Sequence, residues 1–264
     1  MTTVRLVTLN TWKGDGDYLL RLAAMAEGLA AIDPQVICLQ EVFTAADLGL
    51  DTAARLASLL GMSCHHLPAR RKSRQFGNRM IDSTSGLAIL SRLPVQWTRP
   101  LDLPSDPLDG ERIAQMAALD VGTGRLLLIN LHLTHLRQAD ALRRRQLETI
   151  FAAIDPSDGW LAVIMAGDFN AERREPMFRR LPQAAGWVVE DARTAAREPP
   201  RPTLRGILRG GCVDHLLLYR ERLSATRVRS ARRVLDKPLT VMPSDHYGLM
   251  ATLDLGRNIA GDDN

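Results

Sequence analysis

Short apolar runs that stop on a polar or ionisable residue constrain this chain more than any other feature. Val4-Arg5-Leu6-Val7-Thr8-Leu9 stops at Asn10, Val36–Leu39 stops at Gln40-Glu41, and Leu161–Ala166 stops at Gly167-Asp168. Leu126–Leu133 is interrupted by Asn130 and His132. Runs of this length bounded by turn residues read as buried strands. Ser85–Leu90, about 113–121, Val213–Tyr219 and Gly248–Leu253 read as further strands, and Gly122-Thr123-Gly124 as a hairpin turn. Helical spacing of Leu and Ala places helices at Tyr18 to Ile32, which Asp33-Pro34 stops, at about 44–60 and at about 139–154. Early alternation of strand and helix followed by a run of strands predicts an α/β (α+β) chain, with two sheets and helices outside them. No linker or repeat interrupts it, so residues 1–255 are expected to form a single domain and 256–264 a frayed tail.

Composition narrows the function classes. Hydrophobic residues at 45% and charged residues at 24% exclude a mostly disordered chain. No apolar run approaches the roughly 18–20 residues that span a bilayer. Of 34 basic residues 31 are arginine, and residues 67–100 carry seven basic side chains against one acid. Guanidinium groups match phosphate oxygens bidentately, so an anionic, phosphate-bearing partner fits; a codon bias towards arginine fits equally. The three cysteines (Cys38, Cys64, Cys212) match no metal spacing, and Met1-Thr2-Thr3 runs directly into a strand. A reducing, cytoplasmic location is the expectation.

The residues at the strand ends carry chemistry. Glu41, Asp168 and Asp245 are carboxylates, Asn10 and Asn170 carboxamides, and together they supply hard oxygen ligands of the kind Mg²⁺ or Mn²⁺ prefers. Soft ligands at zinc spacing are absent. His132 and His246 add groups that hold or donate a proton near neutral pH.

In order along the chain, Leu9-Asn10, Gln40-Glu41, Ser85-Gly86-Leu87-Ala88-Ile89-Leu90-Ser91-Arg92, Leu131-His132-Leu133, Gly167-Asp168-Phe169-Asn170, Val213-Asp214-His215 and Ser244-Asp245-His246 resemble the motifs of the endonuclease/exonuclease/phosphatase superfamily. The resemblance implies a four-layer α-β-β-α sandwich of two packed mixed β-sheets with helices on the outer faces. It implies Glu41 as principal metal ligand with Asn10 and Asp245 in or near the same shell, and one or two Mg²⁺ ions, with Mn²⁺ a possible substitute. Asp168 matches the residue that orients or deprotonates the attacking water, and Asn170 the one that holds water and phosphate. Asp214 and His246 match a carboxylate–imidazole pair that contacts the phosphate, and His132 a general acid or phosphate ligand. Arg112 falls where the family often has a phosphate-contacting arginine and Thr203 where it often has a hydroxyl. The acid that usually orients the first histidine is missing, with only Asp82 near.

Other ionisable residues receive plainer expectations. His135 is expected to face away from His132 by strand alternation, and His215 to turn away from Asp214 for the same reason. His65-His66 is expected to lie on a strand and loop without chemistry. Arg143-Arg144-Arg145 reads as a solvated helical turn, and Arg227, Arg229, Arg232 and Arg233 as a candidate basic patch. The basic segment 67–83 is expected to be a loop, either plainly solvated or one wall of a phosphate-binding groove. Aromatic residues at 5% argue against a base-stacking platform. Val42-Phe43 after Gln40-Glu41 departs from the abasic endonucleases, and neither a membrane-inserting hairpin nor an inositol 5-phosphatase signature is present. The sequence therefore predicts a Mg²⁺-dependent phosphodiesterase acting on a phosphate ester, nucleic acid ahead of a lipid or small diester. A phosphomonoesterase and a silent phosphate-binding scaffold are the alternatives.

Overall fold

Alternation along the first strand decides the layers. In β1 (Thr2–Asn10), Val4 and Leu6 enter one apolar cluster while Val7 and Leu9 enter another. A strand buried on both faces lies in a sheet covered on both sides. The computed structural model describes residues 1–179, 181, 185–199, 201–206, 211–237 and 240–256; beyond Gly256, the expected tail lies outside them.

Helix α1 (Tyr18–Ile32) follows β1, and Asp33 in a left-handed conformation ends it by donating its N–H to Leu29 and Ala30 carbonyls. Next come β2 (Val36–Ala45), the short β3 (Leu50–Asp51), α2 (Thr52–Leu60), β4 (Ser63–Leu67), β5 (Lys72–Phe76) and β6 (Arg79–Ser91). The second half begins with β7 (Val95–Leu103), β8 (Arg112–Asp120), β9 (Arg125–His132) and α3 (Asp140–Ala152). It continues with β10 (Trp160–Asp168), β11 (Trp187–Asp191), the single-turn α4 (Ala192–Ala195), β12 (Asp214–Glu221), β13 (Arg227–Val234) and β14 (Gly248–Leu255).

One sheet has the order β13-β14-β1-β2-β6-β4, with β3 on β2 and β5 on β6; the other runs β11-β12-β10-β9-β8-β7. Between them lies a core in which Leu6, Val36, Cys38 and Ile89 meet Leu119, Leu128, Ile164 and Leu216. Outside the first sheet, Ile37 and Leu39 pack under Met25 and Leu29 of α1 and Leu56 of α2. Outside the second, Ile129 and Met165 pack under Leu147 and Ile150 of α3. These are the four expected layers. Polar links cross the central core: Gln40 Nε2 donates to Asn130 Oδ1 at 2.8 Å, Asn130 Nδ2 donates to the carbonyls of Leu39 and Ala88 at 3.0 Å each, and Gln115 Nε2 of β8 donates to the His65 carbonyl of β4 at 2.7 Å.

Several expectations are corrected. The helix expected over about 44–60 begins only at Thr52; Thr44 and Ala45 extend β2, paired to Asp51 and Leu50. Asp51 caps the helix through a hydrogen bond from the Ala54 amide. The basic loop 67–83 is largely a hairpin of β5 and β6 in register from Lys72↔Ser83 to Phe76↔Arg79. Arg143 is buried rather than solvated, with its guanidinium on Asp140, Glu175 and the Thr134 and Leu136 carbonyls.

Candidate active site

Strand direction gathers the polar strand ends at one rim of the sandwich. β1 and β2 run parallel, as do β9 and β10, so Asn10, His132 and Asp168 lie at C-terminal ends, with Gln40 of β2 level with Asn10 and Glu41 next to it. β12 and β14 run antiparallel to β10 and β1, which brings Asp214 and the segment before Gly248, with Asp245 and His246, to the same rim.

Local backbone devices aim the side chains. Leu39 pairs with Ala88 and Val42 with Gly86, so Gln40 and Glu41 together oppose Leu87 in a β-bulge. Glu41 there takes φ 53°, and Thr11 Oγ1 donates to the carbonyls of both bulged residues at 3.0 Å. At Gly167 a Cβ would stand 1.9 Å from the Leu131 carbonyl oxygen, so only glycine lets β10 approach β9 closely enough to set Asp168 beside His132.

Asp168 is the hub. Its Oδ2 accepts from Asn10 Nδ2 at 3.1 Å and lies 3.5 Å from His132 Nε2 and 3.8 Å from His246 Nε2. Its Oδ1 accepts from the Asn170 amide at 2.8 Å, and Asn170 Nδ2 is tied to the Leu133 carbonyl. Asp214 Oδ2 is 2.9 Å from His246 Nδ1, and its Oδ1 is buried without a hydrogen-bond partner. Burial pushes the Asp168 carboxyl up to about 6; the His246 charge opposes this and the Asp214 charge adds to it. Burial disfavours charge on His246, but Asp214 outweighs it and, with Asp168 and Asp245, raises the imidazole to about 10. His132 moves the other way, well below the ordinary histidine range, through burial and then the positive charge of Arg112. At neutral pH the site therefore holds one imidazolium, His246, and one neutral imidazole, His132.

Glu41 and Asp245 stand on the other side of the cluster. Lys13 Nζ lies 3.1 Å from Glu41 Oε2, and burial together with the Glu41 charge raises Asp245. Two carboxylates close enough to repel suit a hard divalent cation. Asp168, Asp214 and His246 also bring donor atoms within 4.8 Å of one another and could hold a metal ion. Glu41, faced by Lys13, and Asp245 are further oxygen donors at the same rim.

Other residues are placed less centrally. Arg112 is buried and its guanidinium grips Asp109, with a long contact to the His132 carbonyl, so it lines the cleft as a braced wall. Thr203 is fully buried, and its Oγ1 accepts from the amides of Val213 and Asp214 at 3.0 Å; this fits a brace for Asp214 better than a substrate hydroxyl. Asp82 pairs with Arg71 at 3.4 Å, and the carboxylate beside His132 is Asp168. β9 ends at His132, so alternation does not govern His135; it lies on Asp109 at 2.8 Å. His215 turns away from Asp214 as expected and is buried in the core, with Nδ1 3.3 Å from Asp191 and Nε2 2.9 Å from the Ala171 carbonyl. His65 and His66 both lie on β4.

Two organising residues escape sequence reading. Lys13 sits in a glycine-rich turn and shows no periodic signal. Arg21 projects from an apolar helix, is almost fully buried, and donates to the carbonyls of Thr11, Trp12, Lys13, Asp15 and Pro243. Together with Ser244 Oγ, which donates to the Asn10 carbonyl at 2.7 Å, it ties the loop after β1 to the loop carrying Asp245 and His246. A lone arginine among Leu and Ala at helical spacing is the available signal.

Two mixed sheets with acids and imidazoles gathered at one rim define a phosphoesterase-type sandwich. The family model described as Endonuclease/Exonuclease/phosphatase family matches residues 7–246, and the chain belongs to that family of hydrolytic phosphoesterases. No curated protein sequence matches the chain. Its fold is similar to an endonuclease/exonuclease/phosphatase from Beutenbergia cavernae, with TM-score 0.75 and 19% identity over 97% of this chain and 72% of that one. It is also similar to a humanized TDP2 of D. rerio, with TM-score 0.72 and 18% identity over 96% of this chain and all of that one. The human Nocturnin catalytic domain, solved with bound sulfate, gives TM-score 0.70 and 21% identity over 96% and 94% of the two chains.

Proposed function

We propose that this protein is a divalent-cation-dependent phosphodiesterase, with nucleic acid its favoured substrate, and that residues 1–255 act as one catalytic unit. The observation that carries this reading is the Asp168 hub, where a carboxyl raised to about 6 faces a charged and a neutral imidazole. Asp168 is the base that takes a proton from the attacking water, since a carboxyl near 6 is ionised at neutral pH yet more basic than an ordinary one. Asn170 and Asn10 orient that carboxylate. His246, held charged by Asp214, contributes a positive N–H to the phosphate oxygens and is the acid of the pair. Of the two roles the sequence left open for His132, phosphate ligand suits a neutral imidazole. Glu41 and Asp245 would hold Mg²⁺ or Mn²⁺, which when bound supplies neutralisation of phosphate charge. Among the described residues no helix is long and apolar enough to cross a membrane, and the free cysteines suit a cytoplasmic setting.

The test is hydrolysis of bis(p-nitrophenyl) phosphate, plasmid DNA, RNA and nucleotide monoesters with Mg²⁺, Mn²⁺ or chelator. Cation-dependent cleavage of diesters ahead of monoesters is expected. Turnover that persists in chelator would overturn the cation requirement, and faster cleavage of monoesters the diester assignment.

A further inference from the structure

The cleft that holds Glu41 and His132 does not close at the catalytic centre. It is lined also by Lys13, Arg70 and Arg112, and it shares Ala69, Arg70 and Glu111 with a second cleft that continues outward past Arg71 and Lys72. Three cations face one acid along that outer cleft. Charge at its entrance is in surplus too. Arg70 and Arg112 share one carboxylate, Asp109; Arg112 takes both its oxygens and His135 also contacts one, leaving Arg70 at 3.7 Å.

This wall is built to hold its place. A Cβ on Gly86 would lie 2.2 Å from the Leu67 carbonyl oxygen, so the chain before Arg70 is pressed against β6 one residue from Ser85, whose amide donates to the Ala69 carbonyl. Arg74 reinforces the hairpin from behind by donating to Ser83 and Ser85 hydroxyls. Phe76 stacks on Phe43 with ring centroids 5.8 Å apart, two residues from Glu41. Backbone position is therefore fixed while Arg71, in an exposed pair with Asp82 at 3.4 Å, and Lys72 stay at the surface.

We infer that this continuous cationic track binds the phosphates that follow the scissile one, and that the substrate is a phosphodiester chain gripped by its backbone. The inference rests on the phosphodiesterase reading and names its substrate class. No Phe, Tyr or Trp lines either cleft and His132 is confined to the inner one, so the outer track offers no base-stacking platform and recognition there is independent of sequence. A single isolated phosphate would engage only the inner cleft.

Binding and turnover separate the two readings. Fluorescence anisotropy in chelator measures affinity for a labelled mixed-sequence oligonucleotide of about a dozen nucleotides as salt is varied. Arg71→Gln/Lys72→Gln, both at exposed positions, should weaken binding about tenfold and flatten the log–log salt slope by about one to two. The loss should be equal for homopolymers and mixed sequences. In turnover, kcat/KM on the oligonucleotide should fall about tenfold more than on bis(p-nitrophenyl) phosphate. Arg232→Gln, exposed on β13 at the far edge of the same sheet, should leave affinity and slope unchanged. An unchanged slope in the double variant, or equal losses on both substrates, would overturn the track. Salt-dependent binding that the double variant weakens, in a protein that hydrolyses no diester, would instead retain the track and sink the phosphodiesterase reading.

Discussion

Two aspartate–histidine pairs begin at adjacent positions of β12 and end as different chemistry. Asp214 faces the rim and holds Nδ1 of His246 at 2.9 Å, while Nε2 stands 3.8 Å from the Asp168 carboxylate. His215, one residue on, faces the outer core, where Asp191 takes Nδ1 and the Ala171 carbonyl takes Nε2. Phe169 and Phe178 close over that ring with centroids at 5.3 and 4.9 Å. Both imidazoles are buried and both have a carboxylate, so neither burial nor pairing marks the reactive one. What differs is whether a ring nitrogen remains available to something not yet bound.

The largest expected effects test that distinction directly. Asp168→Asn and His246→Ala should each lower kcat by about three to four orders of magnitude while circular dichroism shows an intact fold. A near wild-type rate in either would break the assignment of the rim pair. His215→Ala should do the reverse. It leaves the Asp191 carboxylate buried without its partner and should cost about 3 kcal/mol in urea unfolding, with kcat per folded molecule unchanged.

Acid sharpens the comparison next. Burial favours the protonated Asp191, but the His215 hydrogen bond and charge outweigh it and lower the carboxyl to about 2. A depressed carboxyl contributes stability that is fully present above its unfolded value, near 4, and is lost as pH falls through about 2. The contribution is about 2 kcal/mol, so the wild type should lose that much more stability than Asp191→Asn between pH 5 and pH 2, as measured by denaturation. The smallest effect concerns suspension of the rim pair on loops. Arg21→Lys offers three donors where five carbonyls are served, and should lower kcat about tenfold with little change in KM.

Sequence legibility followed burial. The central strands β1, β2, β9, β10, β12 and β14 are apolar on both faces and were readable as short hydrophobic runs that end on the site residues. The strands that went unread as strands, β3, β5, β7, β11 and β13, each pair with one neighbour only. An edge strand is half solvated and needs no apolar pattern: β13 reads Arg-Val-Arg-Ser-Ala-Arg-Arg-Val, and β7 carries Pro100, which lacks the N–H a central strand would need. The arginines read as a candidate patch are, in part, counterions: Arg227 and Arg229 meet the buried Asp254. At the site, residues on strand ends were legible because their position follows from the strand itself. Lys13 and Arg21 were not, because a loop conformation and a long side chain crossing to Pro243 decide their roles.

The amide pair between the sheets sets a tolerance for the chemistry. Gln40 is the neighbour of Glu41 on one sheet, and Asn130 lies two residues before His132 on the other. Apolar layers can slide past each other at little cost, but an offset here would strand buried amide groups without partners. With Gln115, which reaches the His65 carbonyl across the same layer at 2.7 Å, the pair works as a locating pin. It fixes how far apart Glu41 and His132 stand, from within the buried layer between the sheets.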